Sequence, residues 1–222
     1  MKKIIIPVSM LILFCGIFLF FINRTVSVIT LDINPSIEIR LKANDKVKMV
    51  KALNEDAKKI VTSNLKNKSF DEIIDTISEN SVVNGYIGGE KSSIIISSTG
   101  NINLDEVKKT VQESFGKRNV ITNVIVIEEI TKEDKKLAKK YNITPAKAAY
   151  ISDMLKENEN LNIELLANKP VDELKETKES GNYCLDGYTL EGARCYKEIS
   201  RKTPEIGPIC PDGYYEYNDK CY

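Results

Sequence analysis

Histidine is absent from all 222 residues of the chain, and so is tryptophan. Without imidazole there is no ordinary general base near neutral pH, none of the commonest metal ligand, and no Ser-His or Cys-His nucleophile pair. Turnover catalysis is therefore not expected, and no cofactor signature accompanies the gap. Net charge is missing too: 32 basic residues balance 32 acidic ones, and no basic cluster is interleaved with aromatics, so nothing steers the chain toward nucleic acid. A carboxylate pair acting on a wall polymer would need two acids facing one cleft, and the scattered Asp and Glu single out no such pair. Cysteine is scarce until the carboxyl end, where Cys184, Cys195, Cys210 and Cys221 stand apart from a lone Cys15.

What is present begins with Lys2 and Lys3, followed by an uncharged run from Ile4 to Ile22. As a helix its roughly 19 residues span the ~30 Å hydrocarbon core of a bilayer. A cleaved signal peptide is the alternative, disfavoured by the run's length and by the lack of a small-residue cleavage site in "FLFFINRTVSV". Leu13 and Phe14 before Cys15 do not suit a lipoprotein. The expectation is a cytoplasmic stub (1–3), a transmembrane helix (4–23) and an extracellular carboxyl terminus, the orientation favoured by the two lysines. Four cysteines on the outer side agree with an oxidising compartment.

Beyond the span, alternation places Ile29, Leu31 and Ile33 on one strand, Ile37, Ile39 and Leu41 on the next, and 47–53 on a third. The first bend is Asn34-Pro35, a turn signal because proline lacks an amide hydrogen and biases its predecessor toward extended conformations. The second is "KANDK". A helix is expected near Glu55, and another after Ser69, with Glu72 completing a capping box and Phe70, Ile73, Ile74 and Ile77 in a stripe. "SSIIISS" reads as a central strand, and Asn103 as the cap of a helix with Glu106 at the third position, an Ile102–Val107 staple and Gly116 as its stop. With the strand at 124–127 this makes a βαβ unit. Two more helices start at Thr131 and at Thr144, where Pro145 suits the first helical position. The fold class is α/β: a mixed sheet, made of an N-terminal three-strand meander plus a βαβ unit, packed with helices. Residues 168–182 read as a linker with room for one short helix.

The tail, 183–222, repeats itself. "CLDGYTLEGARCY" and "CPDGYYEYNDKCY" are offset by 26 residues, with ten residues between the cysteines of each copy. Two small hairpins, each closed by its own disulfide, are the preferred arrangement of the three pairings that four cysteines allow. A zinc site is the rival, without close Cys spacing or histidine to favour it. Seven of the ten tyrosines lie here. They either supply a core to units too small to bury much else, or form a binding face, with Tyr188, Tyr196, Tyr214, Tyr215 and Tyr217 the candidates for a polysaccharide or protein ligand.

The stretch "SVITLDINPSIEIRLKANDKVKMVKALNEDAK", with the later "NGYIGG" and "AKKYNITPAKAAYISDML", resembles the extracytoplasmic domain of RsgI-type anti-sigma factors of Gram-positive bacteria, over roughly 25–167. The resemblance implies an α/β ectodomain that cuts itself at the Asn-Pro bond between its first two strands. The fragments then stay associated until an outer sensing domain is engaged, after which an intramembrane protease frees a sigma factor. Carried over, Asn34 and Pro35 take the scissile role, while Asp32 and Ser36 match the motif without an assigned role. With three residues ahead of the span, no cytoplasmic sigma-binding domain is expected, and direct sigma-factor binding is in doubt. The function expected is a single-pass membrane sensor linked to sigma-factor regulation. The alternative is a surface adhesion or envelope-assembly protein with a passive α/β stalk.

Overall fold

The computed structural model describes residues 14–18, 24–61, 65, 67–88, 92–100, 102–158, 161–181, 184, 188–191, 194–198, 216–217 and 220–221, with backbone alone from 189 onward. Apart from 14–18, which are helical, the expected membrane span lies outside these residues. Among the described residues no helix is long and apolar enough to cross a membrane.

Period-two alternation builds β1 (Thr25–Asp32), β2 (Ser36–Lys42) and β3 (Val47–Ala52), paired antiparallel as the expected meander. β4 (Ser92–Gly100) pairs antiparallel with β1, and β5 (Thr122–Ile127) pairs parallel with β4. The sheet order is β3-β2-β1-β4-β5, so the first strand of the chain is the middle strand of a mixed sheet. At the end of β4, Gly100 has φ +98°, and a Cβ there would lie 2.1 Å from the Val26 carbonyl oxygen. Only glycine lets β4 approach β1 so closely.

Between β3 and β4 come α1 (Glu55–Ile60) and α2 (Phe70–Val83). The capping box expected at Ser69 and Glu72 is present in both directions. α3 (Leu104–Gly116) crosses from β4 to β5, completing the βαβ unit. Its cap departs from expectation in detail: the Asn103 side chain accepts from the Asp105 N–H at 2.9 Å, the helix includes Gly116, and Lys117 is the C-cap. Ile102 and Val107 do both pack on the core.

That core lies on one face of the sheet. Ile29, Leu31, Ile37, Ile39, Ile94 and Ile96 meet Ile73, Ile74 and Ile77 of α2 and Val107, Val111 and Phe115 of α3. Each fully buried large apolar side chain contributes about 1.5–3 kcal/mol. Ile95 is buried but outside this cluster, because alternation turns it to the opposite face. There α5 (Pro145–Glu157) packs against β1, β4 and β5, with α4 (Lys132–Tyr141) and α6 (Ile163–Asn168) beside it. The stretch expected as a linker carries a helix, α7 (Val171–Ser180), with Val171, Leu174 and Thr177 buried.

Residues 173–222 form a separate compact unit. Within it, β6 (Thr189–Glu191) pairs antiparallel with β7 (Arg194–Glu198), and β8 (Glu216–Tyr217) with β9 (Lys220–Cys221). β7 also pairs with β9, so the two repeat copies share one sheet of order β6-β7-β9-β8. Cys184 is buried and disulfide-bonded. The side chains of Cys195, Cys210 and Cys221, and with them the expected pairing, lie outside the described residues, as do those of Tyr196, Tyr214, Tyr215 and Tyr217. Tyr188 is half-buried.

Candidate functional site

The β1–β2 turn is a three-residue loop. Asp32 pairs with Ser36 across the ladder, leaving Ile33, Asn34 and Pro35 to reverse direction. The Ile33 N–H donates to the Pro35 carbonyl at 2.8 Å, closing the loop around Asn34. Asn34 has φ +58°, the left-handed region, directly before a proline. Asparagine tolerates that region better than most residues, but a following pyrrolidine ring crowds its backbone further. The Asn34 side chain faces solvent, whereas Pro35 is buried. An exposed asparagine thus precedes a buried proline.

Both flanks of the Asn34–Pro35 bond are held by side chains from elsewhere. On the far side, the Ser36 N–H donates to Asn54 Oδ1 at 3.2 Å, and the same oxygen caps α1 by accepting the Ala57 N–H at 3.0 Å. The Ser36 carbonyl accepts from the Leu53 N–H at 2.9 Å. The Leu53-Asn54 part of the sequence motif therefore anchors the start of β2. On the near side, Asp32 is 2% exposed and receives two hydroxyls: Ser36 Oγ donates to one carboxylate oxygen and Thr144 Oγ1 to the other. Burial pushes the Asp32 carboxyl above the ordinary range, opposed by these two donors and by the charge of Lys147.

Thr144 and Lys147 come from the first turn of α5. The Thr144 hydroxyl caps that helix by accepting the Lys147 N–H at 3.0 Å, so it serves helix and carboxylate together. The Lys147 ammonium is itself buried, donating to the carbonyls of Ala167 at 2.9 Å and Lys169 at 2.6 Å, at the end of α6. Burial draws it below its usual pKa, against the charge of Asp32. Around these groups lies a cavity of about 660 Å³, to which Asn34, Ser36, Asn54, Thr144 and Lys147 all contribute. Among the described residues no cluster of metal-ligating side chains occurs.

The structure thus brings together the four residues marked in the sequence, Asp32, Asn34, Pro35 and Ser36. Glu38, two residues further along β2, lines the same cavity, its carboxylate accepting from Arg40 Nε at 2.7 Å. Sequence reading missed Thr144 and Lys147 as parts of this site. The Thr-Pro dipeptide signalled a helix start, and nothing in it signalled a second partner.

Residues 26–153 match a family model described as the anti-sigma factor RsgI-like central domain. The chain is 28% identical over 162 residues to anti-sigma-I factor RsgI7 of Acetivibrio thermocellus, covering 70% of this chain and 30% of that protein. It is 31% identical over 163 residues to anti-sigma-I factor RsgI6 of the same bacterium, covering 65% of this chain and 21% of that protein. The chain spans less than a third of the length of either relative. Both are named as regulators, not as turnover enzymes.

Proposed function

We propose that this chain, which belongs to the family of anti-sigma factor RsgI-like central domains, is a membrane-anchored signalling protein of sigma-factor regulation that cuts itself at Asn34–Pro35. The observation that carries this reading is the Asn34 backbone at φ +58° ahead of a buried proline, with clamped residues on both sides. Strain held by surrounding structure is a mark of functional sites.

The chemistry needs no histidine, metal or water. The Asn34 side-chain nitrogen attacks its own main-chain carbonyl carbon, forming a carbon–nitrogen bond and closing a succinimide. The bond from that carbon to the Pro35 nitrogen breaks. One proton leaves the side-chain nitrogen and one reaches the proline nitrogen, which departs as a secondary amine. Holding the two reacting atoms of one residue close is the kind of help a rigid turn supplies.

The topology gives the cut its consequence. The inner fragment, ending at Asn34, keeps β1, the middle strand of the sheet, paired on both sides. The fragments remain one folded body until β1 is withdrawn, and its withdrawal delivers the inner piece to an intramembrane protease. The Cys- and Tyr-rich unit at the carboxyl end presents the extracellular face to a polysaccharide or protein ligand.

The test is expression of the full chain with a tag at each end, followed by a denaturing gel and mass analysis. Two fragments meeting between Asn34 and Pro35 are expected, with Asn34→Ala intact. A parent chain that stays whole on prolonged incubation overturns self-cleavage and leaves the α/β domain as a passive stalk.

A further inference from the structure

We propose that Thr144 is a positioning residue for scission, so that the Asn34–Pro35 turn becomes competent to cut only after helix α5 has docked on the sheet. This rests on the self-cleavage reading and adds a condition to it.

Thr144 is 4% exposed, and its hydroxyl bonds Asp32 and the Lys147 N–H, so it acts through Asp32. A threonine hydroxyl has one hydrogen to give and two lone pairs to offer. Here the hydrogen goes to Asp32 and a lone pair takes the Lys147 N–H, so the hydroxyl is committed at both ends. The second carboxylate oxygen of Asp32 holds Ser36. With both oxygens engaged, the carboxylate cannot rotate without breaking a bond, and it ties the residue two before Asn34 to the residue after Pro35 and to α5. Remove the Thr144 donor and the carboxylate is held by the Ser36 hydroxyl alone, so that the two can turn together. Ser36 then loses its fixed partner, and the backbone around Asn34 relaxes from its left-handed conformation.

α5 is in turn locked from behind. Lys147 fastens its first turn to the end of α6 through two backbone carbonyls. The Asp32–Thr144 bond spans 112 residues of sequence. A chain being synthesised therefore displays Asn34–Pro35 long before the residues that position it exist. The delay protects the product: β1 is held by β4 as well as β2, and a cut made before β4 and α5 had folded would leave β1 without one of its two neighbours.

The experiment compares rates of scission in the full chain for the parent, Thr144→Val, Thr144→Ser and Thr131→Val, by gel densitometry, with thermal melting of each. Thr131 caps α4 as Thr144 caps α5, but its hydroxyl serves Asp134 and not Asp32, so Thr131→Val controls for loss of a helix cap. Misplacement of reacting groups by about 1 Å costs on the order of 100-fold. Thr144→Val is expected to cut about 10- to 100-fold more slowly than the parent, with Thr144→Ser restoring most of the rate and Thr131→Val within about twofold of the parent. Thr144→Val cutting at the parent rate overturns the proposal while self-cleavage stands. Thr144→Ser as slow as Thr144→Val, or Thr131→Val equally slow, also overturns it, because the effect is then packing or general stability. A parent that does not cut overturns both.

Discussion

Two aspartates in this domain expose little surface, Asp32 at 2% and Asp134 at 4%, but the Asp32 carboxyl lies much the deeper of the two, and their surroundings push them in opposite directions. Asp134 closes the capping box of α4. It accepts the Thr131 N–H at 2.9 Å and the Thr131 hydroxyl at 2.7 Å on one oxygen, and the Ser152 hydroxyl at 2.6 Å on the other. Burial pulls its carboxyl upward, but those three donors together outweigh it and hold the group below the usual range. Asp32 has two hydroxyl donors and no backbone N–H, and burial wins. Placement explains the difference. Asp134 sits in the first turn of a helix, where N–H groups are unpaired and the dipole favours negative charge. Asp32 ends a central strand whose own amides are spent on neighbouring strands. One carboxylate is therefore a staple, while the other can carry its charge only at a cost to the fold, as is common where function retains an unfavourable group.

Scission separates the two most sharply. Asp32→Ala is expected to slow cutting on the order of 100-fold, by the same loss of positioning that Thr144→Val causes. Asp134→Ala should leave the rate within about threefold; equal losses on a timed gel would erase the distinction. Stability comes next, measured by urea denaturation in an Asn34→Ala chain so that one covalent species is compared. Asp134→Ala leaves the half-buried Ser152 hydroxyl and a cap N–H without their acceptor and should cost about 1–2 kcal/mol. Isosteric replacement is gentler: Asp134→Asn should lose about 1 kcal/mol at neutral pH, whereas Asp32→Asn should stay within about 0.5 kcal/mol, because removing a poorly solvated charge offsets the weakened hydrogen bonds.

The smallest effect is in the pH dependence, where the two aspartates differ in sign. A lowered folded-state pKa means Asp134 stabilises above its unfolded value of about 3.9, and that stability is lost as pH falls through the folded value. Asp32, raised in the folded state, destabilises as pH rises from about 3.9 through its folded value, and protonation relieves it. Melting temperatures of Asp134→Asn and the parent should converge on acidification. Those of Asp32→Asn and the parent should shift in the parent's favour in a higher pH range, as pH falls through the folded value of Asp32 toward about 3.9. Curves moving together in both pairs would show that the two carboxyls are alike after all.

Elements with local signatures were legible in the sequence. The Ser69–Glu72 box, the Thr131 and Thr144 caps and the βαβ unit are patterns within a few residues, and each forms where its pattern lies. The reading was weaker where local signals compete. Asn103 bonds Asp105 rather than joining a box with Glu106, and α7 was obscured because its apolar positions, Val171 and Leu174, stand among charges. In the site, the Asn34-Pro35 turn was plain, and Asp32 and Ser36 were visible as motif residues. Why Asp32 is there was not, because its second partner comes from the other end of the domain.

The sequence by itself determined the three-strand meander, the βαβ unit and the helix caps at Ser69, Thr131 and Thr144, that the first two strands are joined by an Asn-Pro bend, and that the tail is a duplicated unit. Those features depend on backbone preferences and side-chain periods that neighbours a few residues apart settle among themselves. Only the tertiary structure decided that β1 is the middle strand, that Asn34 is clamped between Asn54 and Asp32, and that Thr144 completes the clamp. Strand order and buried polar contacts are set by packing between distant segments, where loop closure and desolvation choose among many pairings that look alike from the chain.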